Sequence, residues 1–145
     1  MKLSRWVLLL LLSMFVGILN AAERGYQEGA VTEVSSIQIE SGHFDQYMAY
    51  LRGTWKVEQE ALKKAGVIVS YAIYATSRRT PNDADVYLTI TYANMAAMDG
   101  LDDRRETAIA KAGGMDRMAS EKGVIERNAY RKIIGSELIR EITFK

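Results

Sequence analysis

The apolar and polar positions of this chain change period several times, and each change marks an element. From Ala30 to Glu40, Val31, Glu33, Ser35, Ile37 and Ile39 alternate with Thr32, Val34, Ser36 and Gln38. This two-residue period, rich in β-branched side chains and closed by Ser41-Gly42, predicts a first strand. The period then lengthens. Over His43–Ala65, Phe44, Tyr47, Met48, Leu51, Trp55, Glu58 and Leu62 fall on one side at helical spacing. Ser41 suits the N-cap, Asp45 the first turn, Lys63-Lys64 the last turn and Gly66 the residue beyond it. Gly53 inside this helix costs about 1 kcal/mol relative to alanine, so a kink or a close approach is expected there.

Val67–Ala75 reads as a second strand that is apolar on both faces, with Val67, Val69, Tyr71, Ile73 and Ala75 on one and Ile68, Ala72 and Tyr74 on the other. Pro81-Asn82-Asp83 supplies turn chemistry, and Asp85–Tyr92 pairs back as a hairpin with Val86, Leu88, Ile90 and Tyr92 on one face. Asn94 caps a short helix that Gly100 interrupts. A second start follows, with Asp102 or Asp103 as cap, and Gly113-Gly114 breaks the helical region again before a piece ending near Asn128. Ile133–Lys145 closes the chain as a strand with a bulge or bend at Gly135. The order strand, helix, strand, strand, broken helix, strand is the ferredoxin-like βαββαβ arrangement, an α+β fold. It predicts a four-stranded antiparallel sheet with its helices on one face.

The residues before the first strand change the picture of where the protein works. Met1–Arg5 carries two cations and no acid, Trp6–Leu19 is apolar, and Asn20-Ala21-Ala22 is a small-residue exit. That is the pattern of a secretory signal peptide over residues 1–22, since the apolar block of about 14 residues falls short of the roughly 20 that a membrane span needs. The rival reading is an uncleaved N-terminal anchor. Residues 23–29 read as a flexible lead-in and 30–145 as the single domain. A periplasmic or secreted location follows, with no membrane association after cleavage. The chain contains no cysteine, which excludes a disulfide framework, thiol chemistry and a lipid-bearing cysteine. Removing Lys2 and Arg5 takes the formal charge from +1 to −1 with both signs interspersed, so nothing draws nucleic acid or an anionic membrane surface by bulk charge.

A sheet covered by helices on one side, yet apolar on both, leaves a face too large for a monomer in water. A second copy packed sheet to sheet covers it, and closed two-fold dimers are the commonest such assembly. A homodimer through the sheet face is therefore expected.

The run Val34–Tyr47 with Gly42 ahead of a helix carrying Phe44 and Tyr47, the hairpin Val69–Tyr92, and the step Tyr92-Ala93-Asn94-Met95-Ala96-Ala97 together resemble the dimeric α/β-barrel superfamily. That group includes the antibiotic-biosynthesis-monooxygenase-like, EthD-like and muconolactone-isomerase-like proteins, and the resemblance spans about residues 30–145. It implies paired sheets forming a barrel at the dimer interface and a pocket between each sheet and its helices. The first helix would roof that pocket, which makes Tyr47, Leu51 and Trp55 candidate lining residues as well as candidate core. Tyr71 and Tyr87 are further candidates because phenols pack while offering a hydroxyl. The sequence leaves open which sheet face each tyrosine uses.

Chemistry is sparse. His43 is the sole histidine, and near a helix N-terminus it is disfavoured as a cation. It and Tyr71 are the catalytic candidates, with a capping or edge role the plainer reading for His43. A zinc site of the usual kind lacks ligands, and no metal or other cofactor is implied. The haem-degrading members of the superfamily use an asparagine, a tryptophan and a histidine around the pocket. His43 and Trp55, about three turns apart on one helix, do not reproduce that set. The cluster Asp99, Asp102, Asp103, Arg104 and Arg105 and the pair Arg78-Arg79 read as solvated surface. The expected function is binding of a small apolar or aromatic molecule between sheet and helices. A cofactor-independent monooxygenase or isomerase and a ligand-free interaction module are the alternatives.

Overall fold

The computed structural model describes residues 24–114 and 116–145. Residues 1–22, where a signal peptide is expected, lie outside the described residues. The strands are β1 (Tyr26–Ile39), β2 (Ser70–Ala75), β3 (Val86–Tyr92) and β4 (Arg131–Phe144). The helices are α1 (Phe44–Tyr50), α2 (Lys56–Lys64), α3 (Leu101–Lys111) and α4 (Arg117–Arg127), with a π turn at Leu51–Trp55 between α1 and α2 and a 3-10 turn at Met95–Met98. The sheet is antiparallel in the order β2-β3-β1-β4. This is the ferredoxin-like α+β fold that the order of elements predicts.

Register shows which residues share a face. Val31, Ile37, Tyr92, Ile90 and Val86 lie opposite one another on the helix-covered side, and Tyr71 joins them across from Ile90. Ile37, Val86, Ile90 and Tyr92, with Tyr71 packed against them, meet Tyr47, Leu51, Trp55 and Leu62 from the first helical layer and Ala108 from α3 in one apolar core. Thr32, Val34, Ser36, Thr91, Thr89, Tyr87, Ala72 and Tyr74 form the other face. There Thr32 and Thr91 share a hydroxyl hydrogen bond of 2.9 Å.

Several local expectations change. The first strand begins at Tyr26, which pairs with Phe144, so most of residues 23–29 is strand rather than a loose lead-in. The long β4 supplies ladder partners to a segment whose glycines and polar residues read as irregular. A register shift between Glu28 and Val31 absorbs Gly29 and Ala30. The first helix starts at Phe44, with His43 rather than Ser41 in the capping position, because Gly42 turns the chain at φ 84°. Gly53 sits in the π turn, and a Cβ there would meet nothing within 4 Å, so the glycine marks a change of helical winding and no close approach. The expected stop at Gly66 is present. Its N–H donates to Lys63 O at 3.0 Å and that of Val67 to Leu62 O at 2.9 Å, the paired bonds of a Schellman ending.

β2 is shorter than expected, since Val67 and Ile68 are buried in the turn before it. Asn94 caps as expected, its Oδ1 accepting from Ala97 N–H at 3.0 Å, but the product is a single 3-10 turn. Gly100, at φ 60°, stands before α3, which leaves Asp102 and Asp103 in the first turn instead of the cap. Asp116 caps α4 through Ala119 N–H at 2.8 Å. The bend near Gly135 is a register shift in which Ile134 has no β1 partner, between the pairs Ser36–Gly135 and Ile37–Ile133. Among the described residues, no helix is long and apolar enough to cross a membrane.

Candidate functional site

Two open clefts, each of about 500 Å³, lie in the helical layer. The first is walled by Glu58 of α2, Asp102, Arg105, Glu106 and Ile109 of α3, and Arg117 and Ser120 of α4. α3 is followed by a turn through Gly113, at φ 72°, and then by α4, so the two helices contribute facing walls. Ile109 and Ala110 give an apolar patch between the charges. At the mouth Arg117 pairs with Glu121 at 3.2 Å and Glu106 at 3.7 Å; both pairs are exposed and contribute little stability.

Deeper charges are tied to the core. Tyr92, fully buried at the end of β3, donates its hydroxyl hydrogen to Glu33 Oε2 at 3.3 Å. It accepts from Arg105 Nη1 at 3.2 Å. The chain Glu33–Tyr92–Arg105 therefore fixes one guanidinium on the cleft wall from below. Burial raises the Tyr92 hydroxyl above its ordinary pKa, which keeps it neutral and able to donate. Glu58 is half-buried, and its carboxyl is raised by burial against the lowering influence of Arg127 and then Arg105. A carboxyl so displaced, facing a cleft beside fixed cations, is of the type that takes up and releases protons.

The second cleft lies between α1 and the end of α4 and is lined by His43, Gln46, Tyr50, Gly123, Arg127 and Tyr130, among others. His43 Nδ1 is 2.8 Å from Gln46 Oε1, and its ring stacks on Tyr130 at 5.7 Å. The Arg127 guanidinium sits 4.0 Å over the Tyr50 ring.

The residues named from sequence are distributed differently. Tyr47, Leu51 and Trp55 are buried in the core. Tyr71 meets Trp55 edge-on at 5.3 Å and donates its hydroxyl to Glu60 at 2.5 Å. That bond raises the Tyr71 pKa to about 12, followed in importance by desolvation. Tyr87 is on the opposite sheet face, across from Ser36 and Tyr74. The structure thus joins Tyr47, Leu51, Trp55 and Tyr71 and separates Tyr87 from them, while His43 belongs to the second cleft.

No protein-family model matches the chain, and no curated protein sequence matches it. Among solved structures, HapK from Hahella chejuensis is similar at 11% identity and a TM-score of 0.49, covering 77% of this chain and 91% of that one. A dimeric ferredoxin-like protein from an uncultured marine organism gives 9% identity and a TM-score of 0.44, over 82% and 96% of the two chains. The de novo designed protein Foldit4 gives 15% and 0.31, over 81% and 99%.

Glu58, Arg105 and Arg127 are the cleft residues that sequence reasoning did not single out. Glu58 had a signal, being the one charge on an otherwise apolar stripe. Arg105 was masked by its neighbours, because the charged run Asp102–Glu106 reads as solvated surface until a buried tyrosine is found beneath one of its members. Among the described residues, no group of three or more His, Cys, Asp or Glu side chains is placed to hold a metal ion.

Proposed function

We propose that the chain is an exported, homodimeric ferredoxin-like protein of the dimeric α/β-barrel kind that binds a small molecule in the cleft between α2, α3 and α4. The observation that carries this reading is the pairing of an apolar patch at Ile109 and Ala110 with two partly desolvated charges, Glu58 and Arg105. A few convergent polar groups over an apolar surface are what orient a ligand in a site of this size. The mixed lining favours a molecule with an apolar or aromatic body and one polar group over a purely apolar one.

The open sheet face supports the dimer. Tyr74 and Tyr87 are exposed there, among Val34, Ala72 and Ile139. A second copy would cover them. Export rests on the N-terminal pattern and is tested by fractionating cells that express the full chain.

Native mass spectrometry of protein purified from the periplasm tests the ligand. The expected result is a retained small molecule that is lost in Arg105→Ala. Empty protein, with no small molecule shifting its melting temperature from a library screen, would leave the ligand-free interaction module as the reading. Glu58 also supports a second reading, a cofactor-independent isomerase in which its carboxyl carries the proton. That reading requires solvent deuterium to enter the bound molecule and Glu58→Gln to stop it.

A further inference from the structure

α4 differs from the other helices in what holds it. α1 places Tyr47 in the core, α2 places Leu62 and α3 places Ala108, whereas no residue of α4 is buried. Its half-buried positions are Ser120, Gly123 and Arg127, two small residues and a cation on one side of the helix. Met118 and Ile125 point the other way, 81% and 72% exposed. The usual polarity of a surface helix is thus reversed, although packing an apolar face is what ordinarily stabilises so short a helix. Between Ala108 of the core and the buried Arg131 at the start of β4, none of the described residues is buried.

Two arginines tie α4 to the body. Arg117 reaches Glu106 of α3 at 3.7 Å, an exposed pair that contributes little. Arg127 lies 4.0 Å over the Tyr50 ring of α1, a cation–π contact. A Cβ at Gly123 would stand 2.8 Å from Arg127 Nη1, so the glycine clears the path that the guanidinium takes. In that seat Arg127 Nε is shut off from water and has no hydrogen-bond partner. A donor left in this way is costly, and it regains its hydrogen bonds once the side chain returns to solvent. The contact that holds α4 down therefore carries a cost that release removes.

We propose that α4 is a releasable strap, latched by Arg127 on Tyr50, which leaves its seat as a unit and opens both clefts together. It is a wall of each, through Arg117 and Ser120 in the first and Gly123 and Arg127 in the second. Away from the body, a helix of 11 residues with a glycine in its interior is too short to persist in water. Release is therefore an order-to-disorder change of α4, while Ala108 on one side and Tyr130 on the other stay fixed. Tyr130 packs against the core, and its carbonyl accepts from Glu40 N–H at 2.9 Å. The strap stands whether or not the first cleft takes the ligand proposed above, because the movement is read on the protein alone.

Hydrogen exchange of the mature protein, followed by mass spectrometry, is the first arm of the test. Amides of α4 should exchange about a hundredfold or more faster than those of β1 that pair with β3. Arg127→Gln should speed α4 by about a further tenfold. Exchange in β1 and the melting temperature should not change, a pattern that a structural arginine would not give. Tyr50→Leu should act on α4 to the same extent, and the double variant should go no further. The second arm exploits the absence of cysteine. Spin labels on Val57→Cys and Met118→Cys, both exposed positions, report the separation of α2 and α4 by double electron-electron resonance. A narrow seated peak with a broad component beside it is expected, and Arg127→Gln should enlarge the broad component several-fold. Amides of α4 as slow as those of β1 overturn the proposal, as does exchange that Arg127→Gln leaves unaltered. Fast exchange with one narrow distance in both proteins also overturns it, since the helix would then fray in place.

Discussion

β1 and β4 are both strands of 14 residues, paired along almost their whole length, yet they live in different environments. β1 is flanked by β3 on one side and β4 on the other, and it buries Val31, Ile37 and Ile39 beneath the helices. β4 is an edge strand on which Arg131 alone is buried. Leu138 faces the same side as the core, opposite Glu33, but half of its surface is open. Ile139, Ile142 and Phe144 are likewise exposed. The core on this side draws on β1, β3 and Tyr71 of β2, and takes no apolar residue from β4. Apolar pattern alone therefore does not make a core; an element must also sit opposite it. A long apolar edge left bare is the kind of surface that natural proteins cover or protect.

The contrast is sharpest in stability. Leu62→Ala, in a fully buried position of α2, should cost about 2–5 kcal/mol in urea unfolding. Leu138→Ala, measured below the concentration at which copies associate, should cost less than about 1 kcal/mol. Equal costs would mean that β4 is covered within a single chain.

Alkaline pH probes the covered side. The Tyr47 hydroxyl, raised by burial to about 12, binds its proton more tightly folded than unfolded. Its contribution is intact below about pH 10, the unfolded value, and is lost as pH rises toward 12, amounting to about 2 kcal/mol there. Stability measured from pH 8 to 12 should fall over that window, and less steeply in Tyr47→Phe.

The open face is probed by association. Tyr74→Glu with Tyr87→Glu should weaken self-association by about tenfold or more in sedimentation equilibrium, while leaving the monomer's fold signal unchanged. An unaltered dimer would move the interface to the β4 edge, where Leu138→Glu would then dissociate it. Tyr92→Phe probes the first cleft. It removes the hydroxyl between Glu33 and Arg105 and should cost about 1–2 kcal/mol by chemical unfolding, and it should loosen Arg105 in the first cleft.

Most of the architecture was legible because it rests on local signals. The alternation in β1 and β3, the Asn94 cap and the Gly66 stop each act within a few residues, and each is where it was expected. What was not legible depends on distant partners. Residues 26–29 become strand only because β4 runs on to Phe144 beside them. Tyr87 and Tyr71 look alike in sequence, and only pairing with Tyr74 and Ile90 assigns them to opposite faces. The clefts were hidden for the same reason. Glu58, Arg105 and Arg127 are ordinary surface-type residues until three separate helices place them on cleft walls beside tyrosines.

The π turn at Leu51–Trp55 has a consequence for how the chain can change length. Tyr47, Leu51, Trp55 and Gln59 are all buried at intervals of four, whereas a regular α-helix advances about 40° beyond a full turn over four residues. The wider turn absorbs that drift, behaving as a helix with one residue too many. Gly53, exposed with open space around it, is the natural surplus. A chain lacking Gly53 would close the turn into ordinary α-helix and keep both flanking faces pointed at the sheet. This helix is therefore a place where a one-residue deletion is absorbed by winding instead of by repacking the core.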